Sequence, residues 1–227
     1  VSGRNQKEAE SPNVQRPKEI QNRMARILIV TGDFSSSGQL QYSVYRMLEE
    51  GFVATLAAPG RKGLYTVIDQ REEGWAYDLE KRGYTLWPDA SFNEVDPPLY
   101  DGLILPGWRA AEALRNIDRC IVIVRHFIEN NKPIAAICQG PRILIAAGVK
   151  GRRMTGLPLI KPDIVASENT WVDAGGEPVI DGNIISVSGR PYYHVWMGAF
   201  LSLLRERGIA SAKPEGIRTR AAAAALS

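Results

Sequence analysis

Cys138 ends a wholly apolar run, Ile134-Ala135-Ala136-Ile137, and is followed at once by Gln139-Gly140-Pro141. Where a buried strand turns abruptly into a helix, the residue at the turn is held in strained backbone geometry at the carboxyl edge of a sheet, facing a helix amino terminus. That position is expected to lower a thiol pKa and make the cysteine a nucleophile. Gly140 supplies the lack of bulk that such a turn requires. The competing reading is a small buried hydrophobe, the commonest fate of a free cysteine. Cys120 fits that second description, because it shares a helical apolar stripe with Ile117, Ile121, Val124, Phe127 and Ile128. His126, beside Arg125 on the same helix, reads as a surface or partly buried histidine. No His, Cys or carboxylate pair has metal-ligand spacing, so no metal site is expected. Pro59-Gly60-Arg61-Lys62-Gly63 lacks the spacing and the hydroxyl residue of a phosphate loop, and dinucleotide binding is unsupported.

The elements that must position Cys138 alternate along the chain. Arg26 to Val30 is a short apolar, β-branched run, followed by the polar TGDFSSSG and by a helix on which Leu40, Val44, Met47 and Leu48 recur. Phe52 to Ala58 and Tyr100 to Leu105 read as further strands. The helix holding Cys120 ends at Asn130-Asn131-Lys132-Pro133, Ile134 to Ile137 forms the next strand, and a helix from Pro141 to Ala147 is closed by Gly148. Asp181-Gly182-Asn183 sits between two strand-like runs and predicts a hairpin, and a final helix runs from Tyr192 to Arg207. Gly60 to Asn93, without clear periodicity, reads as an insertion with short strands. This order predicts a doubly wound α/β sandwich, its parallel sheet covered on both faces.

At 227 residues, with 44% hydrophobic and 23% charged residues, the chain suits one well-buried domain. Residues 1–23 are poor in large aliphatic side chains and read as a flexible leader, 24–210 as the single domain, and 211–227 as a low-complexity, flexible tail. The net charge of +3 is small and scattered, which argues against a nucleic-acid surface. No amino-terminal apolar stretch suggests a signal peptide or membrane span, and two cysteines are too few for a disulfide scaffold, so a cytoplasmic location is expected.

Three segments together carry a family likeness. AAICQGPRILIAAGVKGRRMTGLP, YDGLILPGWRAAEALRN and RILIVTGDFSSSGQLQYSVYRMLEEGF resemble, in order and spacing, the signatures of the PfpI/DJ-one-like superfamily, which is similar to class I glutamine amidotransferases. The resemblance extends from about Arg26 to Leu204. It implies a flavodoxin-like sandwich with a nucleophile elbow, no cofactor, a homodimer or higher oligomer, and activities of protease, glyoxalase, deglycase or isocyanide hydratase type.

The chain departs from that pattern around the cysteine. The family's loop glutamate falls on Ser36, whose hydroxyl can hydrogen-bond a thiolate but cannot act as a base near neutral pH. The histidine after the cysteine is Gln139. The second glycine of Pro-Gly-Gly is Trp108, which leaves the backbone NH groups of Gly107 and Trp108 to hold an oxyanion beside a large indole. Tyr193 takes the place of a site histidine, and His194 follows one residue later. Glu112 matches a carboxylate that some PfpI-type oligomers lend to a neighbouring active site, or is a solvated helix residue.

Phe34, Trp108, Tyr192, Tyr193 and Trp171 are expected to line an apolar, stacking cavity for a flat or hydrophobic small molecule. Three functions stay open. In the first, a cofactor-free hydrolase, hydratase or lyase uses Cys138 on an electrophilic carbon of a specialised metabolite. In the second, Asp33, Ser36, Gln139 and His194 orient a substrate for non-covalent acid-base or cyclisation chemistry. The third is a non-catalytic binding or redox-sensing protein.

Overall fold

The computed structural model describes residues 24–70, 73 and 79–211. The leader assigned to 1–23 and the tail assigned to 211–227, Ser211 apart, lie outside the described residues. In chain order the elements are β1 (Arg26–Val30), α1 (Ser37–Glu49), β2 (Val53–Ala58), β3 (Leu64–Gln70), β4 (Leu79–Leu86), β5 (Ala90–Ser91), β6 (Gly102–Leu105), α2 (Arg109–Leu114) and α3 (Asp118–Glu129). They continue with β7 (Ile134–Ile137), α4 (Pro141–Ala146), β8 (Arg153–Met154), α5 (Lys161–Ala166), β9 (Thr170–Trp171), β10 (Val179–Asp181), β11 (Ile184–Val187) and α6 (Tyr193–Glu206).

Seven strands form one sheet in the order β10-β11-β7-β6-β1-β2-β5, parallel throughout except for β10. Its central strands β6 and β7 carry no polar side chain because both faces are covered. Leu28, Val30, Leu103, Leu105, Ile134 and Ala136 face one core with Val124, Phe127 and Leu144. Their alternates Ile27, Ile29, Ile104, Ala135 and Ile137 face another with Leu40, Met47, Trp196 and Phe200. Each fully buried Leu, Ile or Phe contributes about 1.5–3 kcal/mol, so these two layers dominate the stability of the sandwich.

The chain leaves β1 towards β2 and returns on the other side to β6, which makes the β1/β6 boundary a topological switch point. Ligand sites of open α/β sheets form outside the carboxyl ends of strands at such a point. The loops after β1, β6, β7 and β11 all open there.

The expected hairpin is present, with Asp181 opposite Ile184 and Gly182 at φ 60°. The insertion needs partial correction: β5 is short, with two residues, but its other two strands are not. β3 and β4 run for 7 and 8 residues as an antiparallel ribbon. A register shift between Tyr65 and Val67 places Thr66 and Val67 consecutively inside, breaking the period-two pattern. Two of the buried positions, Thr66 and Asp69, are polar besides, so hydrophobic alternation carries no signal. The short helix α5 and the two-residue strand β9 likewise carry no separate signal in the sequence.

Candidate active site

Cys138 follows β7 with φ 59°, in the left-handed region that a non-glycine residue occupies at a cost of about 1–3 kcal/mol. Its neighbours over-determine that geometry. The Cys138 NH donates to Val187 at 3.0 Å, its carbonyl accepts from Leu157 at 2.8 Å, and the Gly140 NH donates back to Ile137 at 2.8 Å. The β6–α2 loop presses against the turn so closely that a Cβ on Gly107 would stand 2.5 Å from the Gln139 nitrogen and 2.6 Å from the Ile137 oxygen. Glycine is therefore required there.

The thiol is 3% exposed. Burial pushes its pKa up to about 11, against the hydrogen bonds of the Trp108 NH, the Gln39 side chain and the Gln139 NH, while the charge of Asp69 adds to the rise. The expectation of a lowered thiol pKa is thus corrected: desolvation outweighs the turn's donors. Burial likewise raises Cys120 to about 12, and this residue is part of the core. The oxyanion expectation is corrected in half. The Gly107 NH already donates to Gln39 Oε1 at 2.7 Å, whereas the NH groups of Trp108 and Gln139 both bond the sulfur.

Trp108, standing where the resemblance has a glycine, adopts φ 67° and ψ −163°, a region that is almost exclusively glycine's. The indole is tied down by Nε1–H, which donates to Glu80 Oε1 at 2.6 Å, and the adjoining Arg109 guanidinium bonds the same carboxylate.

Ser36 does not stand in for a carboxylate; it binds one. The loop after β1 is zipped to β3 through the Val67 NH, which donates to Ser35 at 2.9 Å, and the fully buried Ser36 hydroxyl donates to Asp69 Oδ1 at 2.8 Å. Arg190 Nε lies 3.3 Å from Asp69 Oδ2, and the same guanidinium donates to the Asp69 carbonyl at 2.6 Å. Tyr193 completes the cluster. Burial and the charge of Asp69 raise its phenol to about 12, with Ser36 and Arg190 opposing and Cys138 adding to the rise.

A cavity of about 310 Å³ opens over these groups, lined by Cys138, Asp69, Arg190, Trp108, Trp171 and Tyr192 together with Gln39, Thr155, Asp173 and the loop backbones around them. Its aromatic walls come with charged and polar groups, which corrects the expected apolar lining, and Tyr193 lies beneath the cavity rather than in its lining. Several predicted site residues lie elsewhere. Phe34 is 40% exposed, packed on Tyr65 at 5.1 Å and beneath the Arg109 guanidinium at 4.8 Å. Asp33 anchors the ribbon by accepting the Tyr65 NH at 2.9 Å and pairing with Lys62. The Gln139 side chain accepts from Arg142 at 2.9 Å, so its contribution to the sulfur is a backbone NH. Glu112 is exposed and pairs with Arg115 at 3.8 Å and Arg142 at 3.7 Å. His194 is exposed on the first turn of α6 and does not line the cavity.

Sequence reasoning missed Gln39, Asp69, Glu80 and Arg190. Gln39 looked like a polar helix position, and Asp69 was hidden by the ribbon's shifted register. Among the described residues no group of three or more His, Cys, Asp or Glu is placed to hold a metal ion, and no helix is long and apolar enough to cross a membrane.

Comparison with known proteins adds four likenesses. The family model described as DJ-1/PfpI family matches residues 25–203. A deglycase of Pyrococcus abyssi is 38% identical over 181 residues, covering 79% of this chain and 99% of that protein. The deglycase PfpI of Pyrococcus furiosus is 35% identical over 181 residues with the same coverages of 79% and 99%. Among solved structures, DJ-1 of Schizosaccharomyces pombe superposes with a TM-score of 0.65 at 18% identity, covering 83% of this chain and 93% of that one, a likeness of fold.

Proposed function

The chain belongs to the DJ-1/PfpI family, and from that premise we propose that it is a cofactor-free enzyme in which Cys138 adds to an electrophilic carbon of a small molecule. The observation that carries this reading is the left-handed Cys138, set in the cavity wall with the NH groups of Trp108 and Gln139 on its sulfur. As the sulfur–carbon bond forms, the electron pair of the attacked bond moves onto the substrate heteroatom, and those two donors can hold the developing charge. Water or an internal leaving group then releases the product, giving hydrolase, hydratase or lyase chemistry. The relatives named deglycase support an enzyme of this general type.

Trp108, Trp171 and Tyr192 support a flat or aromatic specialised metabolite, and the accompanying Asp69, Asp173 and Arg190 support polar substituents on it. The test is a panel of aldehydes, dicarbonyls and activated acyl compounds, with consumption followed by chromatography and Cys138 adducts by mass spectrometry. Adducts on the wild type and loss of turnover in Cys138→Ala are expected. Undiminished turnover in that variant sinks the nucleophile.

One observation favours a second reading, non-covalent acid-base chemistry in the same cavity: a thiol with a pKa near 11 remains protonated at neutral pH. Full activity after Cys138 has been alkylated would select it. The same protonation argues against a peroxide-sensing role, which needs an exposed thiolate.

A further inference from the structure

Asp69 is paired directly with Glu80 across the β3–β4 ribbon, so both carboxylates leave the same face of one rung. Like charges so placed destabilise a ribbon, and here each has its own partners. Asp69 takes the Ser36 hydroxyl and Arg190, whereas Glu80 takes the Trp108 indole and Arg109. The rung thereby reaches both sides of the site, one carboxylate in the cavity wall and the other bracing that wall's indole.

We propose that Asp69 is the proton acceptor of the site, taking the Cys138 thiol proton as the sulfur attacks. The proposal rests on the reading of Cys138 as the nucleophile. Asp69 lines the same cavity as Cys138 and is only 7% exposed. It is fixed from two directions, by Ser36 on Oδ1 and by Arg190 on Oδ2 and on its own carbonyl. Burial, and after it the negative charge of Asp69, raise the thiol's pKa, so a nearby proton acceptor is needed for attack at neutral pH. The other acid in the lining, Asp173, is exposed. The protein thus places a carboxylate where the loop after β1 offers only a serine, and delivers it from the inserted ribbon.

The step is balanced: the sulfur–carbon bond forms, the S–H proton passes to the Asp69 carboxylate, and the displaced electron pair goes to the substrate heteroatom or leaving group. Iodoacetamide tests it without knowledge of the natural substrate, since there the leaving group is iodide. Alkylation of Cys138 is followed by peptide mass in the intact fold across about pH 6.5–8.5, where an unassisted thiol of such high pKa would gain about tenfold in rate per pH unit. The wild type is expected to be nearly flat over that range. Asp69→Asn is expected to react about 10- to 100-fold more slowly at pH 7 and to recover the tenfold slope. The proposal is overturned if Asp69→Asn reacts as fast as the wild type or faster, the result of merely removing a nearby negative charge. Should that variant not fold, the wild-type profile decides alone, a tenfold slope overturning the proposal. Turnover that survives Cys138→Ala would remove the nucleophile while leaving the proton coupling read by alkylation intact, so the two failures are distinguishable.

Discussion

The Trp108 indole donates to Glu80 at 2.6 Å, and that bond ties a tryptophan with a glycine's backbone angles to the ribbon beside it. Removing the indole should cost about 3–5 kcal/mol of packing, but Trp108→Gly recovers about 1–3 kcal/mol of backbone strain that Trp108→Ala retains. Urea melts are expected to rank Trp108→Gly above Trp108→Ala, the reverse of the usual order for these two residues. The usual order would show that the position is unstrained.

Burial raises Cys138 to about 11, and Cys120 and Tyr193 to about 12, from ordinary values of 9.0 for a thiol and 10.0 for a phenol. All three stay protonated when folded while the unfolded chain ionises. Their stabilisation is therefore complete below about pH 9 and is lost as the pH rises towards the folded values. Each thiol is expected to withdraw about 2 kcal/mol between pH 8.5 and 10.5. Cys120→Ala, though less stable at pH 7, should show a shallower alkaline decline. An equal slope would mean that Cys120 ionises in the folded chain.

A side chain on Gly83 has no room, because its Cβ would lie 2.0 Å from Ser37 Oγ and 2.6 Å from Thr66 Oγ1. Gly83→Ala should lift β4 from the start of α1 and speed hydrogen exchange in β3 and β4, leaving β1, β6 and β7 protected. Unchanged exchange in the ribbon would show that the contact yields without undocking.

Gln39 ties the β6–α2 loop to α1 by accepting the Gly107 NH, and its side chain also hydrogen-bonds the Cys138 sulfur. Gln39→Leu strands that buried donor, at a cost of about 1–3 kcal/mol, and also removes a hydrogen bond from the sulfur. Lower stability is expected together with slower cysteine alkylation at pH 9. Alkylation at the wild-type rate would show that Gln39 serves the loop alone.

The apolar runs of β1, β6 and β7 and the stripe of α3 carried the fold in plain view, since burial on both faces leaves no polar interruption. The elbow was equally visible from an apolar strand ending in Cys-Gln-Gly-Pro. What surrounds the sulfur was harder to read. Near the start of α6 one residue step turns a side chain by about 100°, which is why Tyr193 joins the cluster and His194 meets solvent. Asp69 could not be assigned a face until the register shift near Tyr65 was known. Gln39 looked like any polar helix position because its partner, a backbone NH, comes from a loop 68 residues away.

The ribbon that bears Asp69 and Glu80 is stitched to the sheet by loop contacts and contributes no strand to it. Cys138 and the proposed proton acceptor therefore sit on separate pieces of the fold, one on the seven-stranded sheet and the other on an appendage to it. A ribbon grafted between β2 and β5 would have to replace two of its ties, the Ser36–Asp69 bond and the Trp108–Glu80 bond, to keep the wall beside the cysteine in place.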